Sequence, residues 1–295
     1  MPIDKPQHRP PQDMMCPMLQ VTRGCTHGKC RFCDIYVGEP FSPVPMEEIV
    51  ADVDELAKTT MQHVHRIYLV GGNPLALPTH RLIEIFDAVE QRMPQIHSYG
   101  GFCRIMDVAK KTDEELALLA SRGVDNLCVG AESGLDSVLD FMEKGHTAAD
   151  IALQGQRLKA AGIRSIFFYL TGLAGAGRGQ ENALASAKAF SAAAPESILI
   201  VTITPCKTWP LAQDIAEGRW QPAGEREMAQ EIRTFIEHLT CPSYIVCSHD
   251  SDTIKFDGLL PKDQQNILAL LDNRIPKMNE NAARKIREMI HHATF

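Results

Sequence analysis

Six short apolar runs, each rich in Val, Ile, Leu, Phe and Tyr, recur at about residues 18–23, 66–71, 98–103, 126–131, 164–170 and 198–204. Runs of this length and composition read as buried strands. Between them the apolar positions change to helical spacing. Ile49, Val53 and Leu56 share one stripe of Glu47 to Lys58, and Ile83, Ile85 and Phe86 do so within Leu82 to Val89. Thr112-Asp113-Glu114-Glu115 has capping-box chemistry ahead of Leu116, Leu118 and Leu119, and Thr147 opens a helix that ends near Gly162. Strand and helix alternate at intervals of roughly 30 to 50 residues, which predicts a parallel α/β fold. An open doubly wound sheet and a closed or partial barrel share this rhythm, so periodicity leaves the topology open.

After Trp220 the pattern changes. Ala223 to Leu239, Pro261 to Leu271 and Asn281 to His292 read as helices, and Tyr244-Ile245-Val246 as a short strand. The first fifteen residues hold four prolines and no periodicity, as an arm would. The expected organisation is an arm over 1–15, an α/β domain over 16–220 and a mostly helical extension over 221–295.

Composition narrows the class. The 295 residues are 44% apolar and 23% charged, enough for a core without covalent staples, which excludes a disulfide module and wholesale disorder. A net charge of -7, with the positives scattered, works against nucleic acid or anionic lipid as a partner. No run approaches the roughly 20 apolar residues of a membrane span, and the N-terminus lacks a signal-peptide core, so a cytoplasmic protein is expected. Nine cysteines in a reducing compartment are not expected to pair as disulfides.

Three of them are crowded. Residues 24 to 36 read Gly-Cys-Thr-His-Gly-Lys-Cys-Arg-Phe-Cys-Asp-Ile-Tyr, directly after the first predicted strand, and soft thiolates at this density point to zinc or an iron-sulfur cluster. Three arrangements fit the spacing. Cys25, Cys30 and Cys33 with the distant Cys103 would hold two irons, in the C-x4-C-x2-C pattern of plant-type ferredoxins. With His27 they would hold zinc. Alone they would hold a four-iron cluster with one iron left open to an exchangeable ligand.

With Gly71-Gly72-Asn73-Pro74 and Gly130-Ala131-Glu132-Ser133-Gly134 following at later strand ends, the loop resembles that of the radical S-adenosylmethionine superfamily, over roughly residues 16 to 220. The resemblance implies a partial (β/α)6 TIM-like barrel with a mostly helical C-terminal extension. It implies a 4Fe-4S cluster on Cys25, Cys30 and Cys33, with S-adenosylmethionine as the second cofactor. It also implies an oxygen-sensitive enzyme that cleaves S-adenosylmethionine reductively to a 5′-deoxyadenosyl radical, which takes hydrogen from a small organic substrate. A reductant such as flavodoxin or ferredoxin would serve it. The commonest family spacing is C-x3-C-x2-C, so the extra residue between Cys25 and Cys30 is a departure that leaves the subfamily open.

By the same resemblance, Phe32 lies against adenine, Gly71, Gly72, Asn73 and Pro74 border the cofactor's amino group, Glu132 and Ser133 meet the ribose hydroxyls, and Arg104 pairs with the cofactor carboxylate. Cys206, Tyr169 and Tyr36 are candidates for hydrogen transfer at the substrate. Two other readings stand beside this one. Rupture of another carbon-sulfur bond would give a 3-amino-3-carboxypropyl radical and group transfer, and a non-enzymatic electron carrier or zinc-thiolate protein would need no S-adenosylmethionine.

The remaining motifs are weaker. The glycine-rich run Gly172 to Gly179 fits neither phosphate-loop template. Cys241 and Cys247 could join Cys206 at a second cluster, His249-Asp250-Ser251-Asp252 reads as a solvated turn, and Arg284, Lys285, Arg287, His291 and His292 suit the end of a helix dipole.

Overall fold

The computed structural model describes residues 9–294. The chain forms two compact units, Met1–Gly28, Ile35–Gly130 and Arg157–Ser165 in the first, and Lys29–Asp34, Ala131–Gln156 and Ile166–Phe295 in the second.

The first unit contains β1 (Met18–Gln20), β2 (Thr22–Arg23), β3 (Ser42–Pro43), α1 (Met46–Thr59), β4 (Arg66–Val70), α2 (Thr79–Arg92), β5 (Ser98–Arg104), α3 (Ile105–Ala109), α4 (Asp113–Ser121) and most of β6 (Leu127–Glu132). Strands β1, β4, β5 and β6 lie in that order, all parallel, and β2 pairs with β3 as a small antiparallel ribbon. The four parallel strands read from sequence appear within a few residues of their expected bounds, because β1, β4 and β6 bury Leu, Ile or Val and β5 buries Tyr99, Gly100, Gly101 and Cys103. Helix α4 starts as its sequence requires: Glu115 N donates to Thr112 Oγ1 at 3.1 Å, and Thr112 N donates to Glu115 Oε2 at 2.9 Å. Within this core Phe86 of α2 stacks on Tyr99 of β5, ring centroids 4.0 Å apart. Burying each such ring stabilises the fold by about 1.5–3 kcal/mol.

Of the proline-rich arm, residues 1–8 lie outside the described residues. Pro11–Asp13 forms a 3-10 turn whose Asp13 is buried and accepts from Arg66 Nε at 2.7 Å. Arg66 also donates to Ser98 Oγ at 2.7 Å and to the Asp125 carbonyl at 3.1 Å. The arm therefore ends in an anchored turn, a long-range ion pair that local sequence does not announce.

The second unit contains α5 (Asp136–Phe141), most of α6 (Ala148–Ala160), β7 (Ser165–Thr171), α7 (Gly179–Ala193), β8 (Ser197–Thr202), α8 (Leu211–Ala216), α9 (Glu225–His238), β9 (Ser243–Cys247), β10 (Phe256–Leu260), α10 (Gln264–Arg274) and α11 (Glu280–Thr294). Strands β7, β8 and β9 are parallel neighbours and β10 closes the row antiparallel to β9. Among the described residues no helix is long and apolar enough to cross a membrane. The core gathers Tyr169 of β7, Phe190 of α7 and Phe235 of α9, with Tyr169 and Phe235 stacked at 4.1 Å. Helix α11 is tied down by Arg287, which is buried and donates twice to Glu225 at 2.6 Å. Arg287 therefore does more than complement the helix dipole. The side chains of His291 and His292 lie outside the described residues.

Candidate functional site

The cysteine loop begins in the first unit. Gly24 has φ +64, a left-handed backbone that suits glycine, and turns the chain from β2 into Cys25. At the end of β4, Gly71 has φ +121, and a Cβ there would lie 2.2 Å from the Thr22 carbonyl oxygen. A Cβ on Gly72 would lie 2.0 Å from the Gly24 carbonyl oxygen and 2.8 Å from Cys25 Cα. The close approach at both glycines is to the chain's own loop. Asn73 is fully buried and completes the contact: its Oδ1 accepts from Thr26 N at 3.1 Å, and its Nδ2 donates to Thr26 Oγ1 at 2.6 Å and to Asp107 Oδ2 at 2.8 Å. Asp107 also accepts from Arg104 N at 2.8 Å, while its other oxygen is buried with no hydrogen-bond partner. Burial pushes its carboxyl above the usual value, against the hydrogen bonds from Arg104 and Asn73. Pro74 is buried and starts a 3-10 turn; Arg104 and Tyr36 are half-buried.

The loop ends in the second unit. Arg31 N donates to the Met142 carbonyl at 3.1 Å, and the Arg31 carbonyl accepts from Leu211 N at 2.9 Å. Phe32 packs on an apolar cluster that includes Val138, Met142, Ile203 and Leu211, with Lys144 Nζ 5.5 Å over its ring. Lys144 donates to Glu132 Oε1 at 3.0 Å, and both side chains are nearly buried. Glu132 itself has φ +67, and His146 Nε2 lies 3.3 Å from the carbonyl oxygen of Ala131. Sequence reasoning missed Lys144; its position twelve residues after Glu132, closing the short helix α5, was the available signal.

Ser133 is fully buried: its hydroxyl donates to Asn182 Oδ1 at 2.5 Å and accepts from Leu135 N at 3.0 Å. Tyr169 is likewise buried, its hydroxyl donating to Glu231 Oε1 at 2.8 Å. Asn182 Nδ2 and Gly172 N complete the set of donors to Glu231, at 2.7 Å and 3.0 Å. Burial lifts the Glu231 carboxyl to about 7 against the pull of Asn182, Tyr169 and the Gly172 amide. Gly177 N donates to Glu227 Oε1 at 2.6 Å and Gly179 N to the same oxygen at 3.5 Å, so three amides of the glycine-rich run already serve carboxylates rather than a phosphate.

Cys206 follows β8, nearly buried. Burial, with Asp34 nearby, pushes its thiol up to about 11. Cys206, Cys241 and Cys247 donate to three different carbonyls, those of Thr204, Phe190 and Ile254. In the turn His249 to Asp252 only part is solvated: Asp252 is buried, accepts from Thr202 Oγ1 at 2.9 Å, and burial lifts its carboxyl to about 6.

Cys25, Cys30 and Cys33 are all half-buried, whereas Cys103, Cys128 and Cys247 sit in the core with thiols pushed up by burial. Among the described residues no disulfide joins any of the nine cysteines. Nor do three His, Cys, Asp or Glu side chains stand together as a metal-holding group there. The fit to an iron-sulfur cluster therefore lies in donor chemistry: three soft thiols within nine residues, on a loop whose two ends are each built into packed structure.

The family model of the Radical SAM superfamily matches residues 19–184. The chain is 23% identical over 146 residues to the heme chaperone HemW of Lactococcus lactis subsp. lactis (strain IL1403), a match spanning 48% of this chain and 37% of that protein. The heme chaperone HemW of Bacillus subtilis (strain 168) is also 23% identical, over 48% of this chain and 38% of that one. The match thus spans well under half the length of these curated relatives. Among solved structures, coproporphyrinogen III oxidase (HemN) from Escherichia coli, described as a radical SAM enzyme, superposes with TM-score 0.58 at 14% identity, covering 75% of this chain and 52% of that one. The radical S-adenosylmethionine methyltransferase TsrM from Kitasatospora setae, with cobalamin and a [4Fe-4S] cluster bound, gives 0.56 at 19%, covering 69% and 39%. Methylornithine synthase (PylB) gives 0.55 at 17%, covering 86% and 68%. At such identities the likeness is one of fold: α/β with a mostly parallel sheet, as in the partial TIM barrels of this group.

Proposed function

The chain is an enzyme of the Radical SAM superfamily, and from that premise we propose that Cys25, Cys30 and Cys33 hold a four-iron four-sulfur cluster at which S-adenosylmethionine is cleaved reductively. The observation that carries this reading is the three-thiol loop, inside the matched residues and directly after β1 and β2. When bound, the cluster would supply the electron that converts S-adenosylmethionine to methionine and a 5′-deoxyadenosyl radical, which abstracts hydrogen from a small organic substrate.

The chain's own residues position and insulate. Gly71, Gly72, Asn73 and Pro74 hold the start of the loop, through the Gly72 to Gly24 contact and the Asn73 bonds to Thr26. Phe32 presents a flat apolar ring to adenine. Glu132 takes the ribose hydroxyls, with Lys144 donating to its Oε1 and so aiming its side chain. Arg104 receives the cofactor carboxylate. Ser133 shapes the end of β6 through Asn182 and Leu135. Cys206 keeps its proton at neutral pH, as a hydrogen donor must, and Tyr36 is the second such candidate. The Tyr169 hydroxyl, bound to Glu231 in the core, serves packing. A reducing cytoplasm, with a flavodoxin or ferredoxin as reductant, suits this chemistry and its sensitivity to oxygen.

The test is anaerobic purification with iron and sulfide analysis, then incubation with dithionite and S-adenosylmethionine and mass spectrometry of the products. 5′-Deoxyadenosine, lost on Cys30→Ala, is the expected outcome. An aminocarboxypropyl product would move the cleavage to another carbon-sulfur bond. Zinc without iron would overturn the reading.

A further inference from the structure

The turn that carries the second and third cysteines is pinned on both flanks by the segment that follows β8. Arg31, between Cys30 and Cys33, uses its N–H on Met142 and its carbonyl on Leu211, the first residue of α8. Its Nη1 donates to both oxygens of Asp214 at 3.0 Å, and its Nη2 to Glu143 Oε1 at 2.8 Å. Asp214 is fully buried and also accepts from Arg219 Nε at 2.7 Å. Asp34, directly after Cys33, accepts from Trp209 Nε1 at 3.1 Å and from the Thr208 hydroxyl. Cys33 N donates to the Cys30 carbonyl at 3.2 Å, which closes the turn upon itself.

Every one of these bonds is made by protein groups alone. Ordering a chelating loop costs conformational entropy, and a loop already ordered at folding does not charge that cost to the metal. Groups that orient the ligands of a cluster commonly sit one shell behind them and matter almost as much as the ligands. Resting on the cluster reading above, we infer that Asp34 and Asp214 are positioning residues: through Trp209, Thr208 and Arg31 they preset the Cys30 to Cys33 turn for its cluster. The extra residue between Cys25 and Cys30 then falls in a stretch outside this brace, where a change of length leaves the second pair of thiols in place.

The experiment compares wild type with Asp214→Asn, with Trp209→Phe, which removes the indole donor to Asp34 and keeps an aromatic ring against the apolar cluster, and with Arg219→Gln, which touches Asp214 without touching the turn. Amide hydrogen exchange at residues 30–34 is measured in the protein before cluster loading, and iron release to a chelator after anaerobic reconstitution. Asp214→Asn is expected to release iron about tenfold faster and to exchange faster across the turn. Trp209→Phe should shift both in the same direction by less, and Arg219→Gln, which leaves Arg31 on Asp214, by less still. If Asp214→Asn and Trp209→Phe both keep wild-type exchange and release, the inference is overturned. If wild type itself takes up no iron and sulfide, the cluster reading falls and the inference falls with it, an outcome separate from the first.

Discussion

From Gly24 to Thr26 the cysteine loop is held by shape: two glycines let main chain meet main chain, and one buried amide, Asn73, satisfies the Thr26 N–H. From Cys30 to Asp34 it is held by charge: a fully buried carboxylate between two arginines and a second carboxylate between an indole and a hydroxyl. The two devices fail differently. Close packing tolerates no added atom and carries no charge of its own, so a pH response at the first end comes only through Asp107 beneath Asn73, whereas the second end rests on the ionised Asp214 and answers directly to its protonation.

The largest test of this contrast is Gly72→Ala. A Cβ 2.0 Å from the Gly24 carbonyl forces the loop main chain to move, and urea unfolding should show a loss of about 3 kcal/mol. A loss under about 1 kcal/mol would show that the shape-held end yields easily.

The pH dependence comes next, because the two ends carry carboxylates displaced in opposite directions. Burial raises Asp107, so its contribution to stability is complete below the usual aspartate value and is lost as pH rises through its folded value. Burial also opposes the charge on Asp214, but hydrogen bonds from Arg219 and Arg31 bring it below the usual value. Its contribution is present above the usual aspartate value and is lost as pH falls through its folded value. Relative to wild type, Asp107→Asn should therefore gain stability with rising pH and Asp214→Asn should lose it. Unfolding curves across the acid to neutral range check both signs, and slopes of the same sign would dissolve the comparison.

The smallest effect belongs to the outer partner of Arg31. Glu143 is 45% exposed in its ion pair with Arg31, and Glu143→Gln should cost about 0.5 kcal/mol or less, vanishing in high salt. A larger loss would place the charge-held end at the surface instead of at Asp214.

Much of the frame was legible in the sequence, for identifiable reasons. Strands β4, β7 and β8 are runs dense in Ile, Leu, Val, Phe or Tyr, and Thr112 with Glu115 spells its own helix start. Strand β10 escaped because Phe256-Asp257-Gly258-Leu259-Leu260 buries a glycine and exposes a leucine, which hides the alternation. The three-thiol loop and Gly71 to Pro74 stood out because their chemistry is local. Asp107 beneath Asn73 and Asp214 behind Arg31 did not, being joined only through folding across 34 and 183 residues. The role of Tyr169 turned on which face of β7 it occupies, and its neighbours Phe168 and Leu170 are as apolar as a core position would be, so no alternation marked the side.

Glu132 stands at the last position of β6 with a main chain bent to φ +67, a geometry that costs a branched-off side chain about 1 kcal/mol. Glycine or asparagine would sit there at ease, and either would discard the anion that Lys144 faces. Thermodynamic comfort and chemical usefulness pull this one site in opposite directions, so a variant library ranked by melting temperature alone would discard the residue first and be rewarded for doing so.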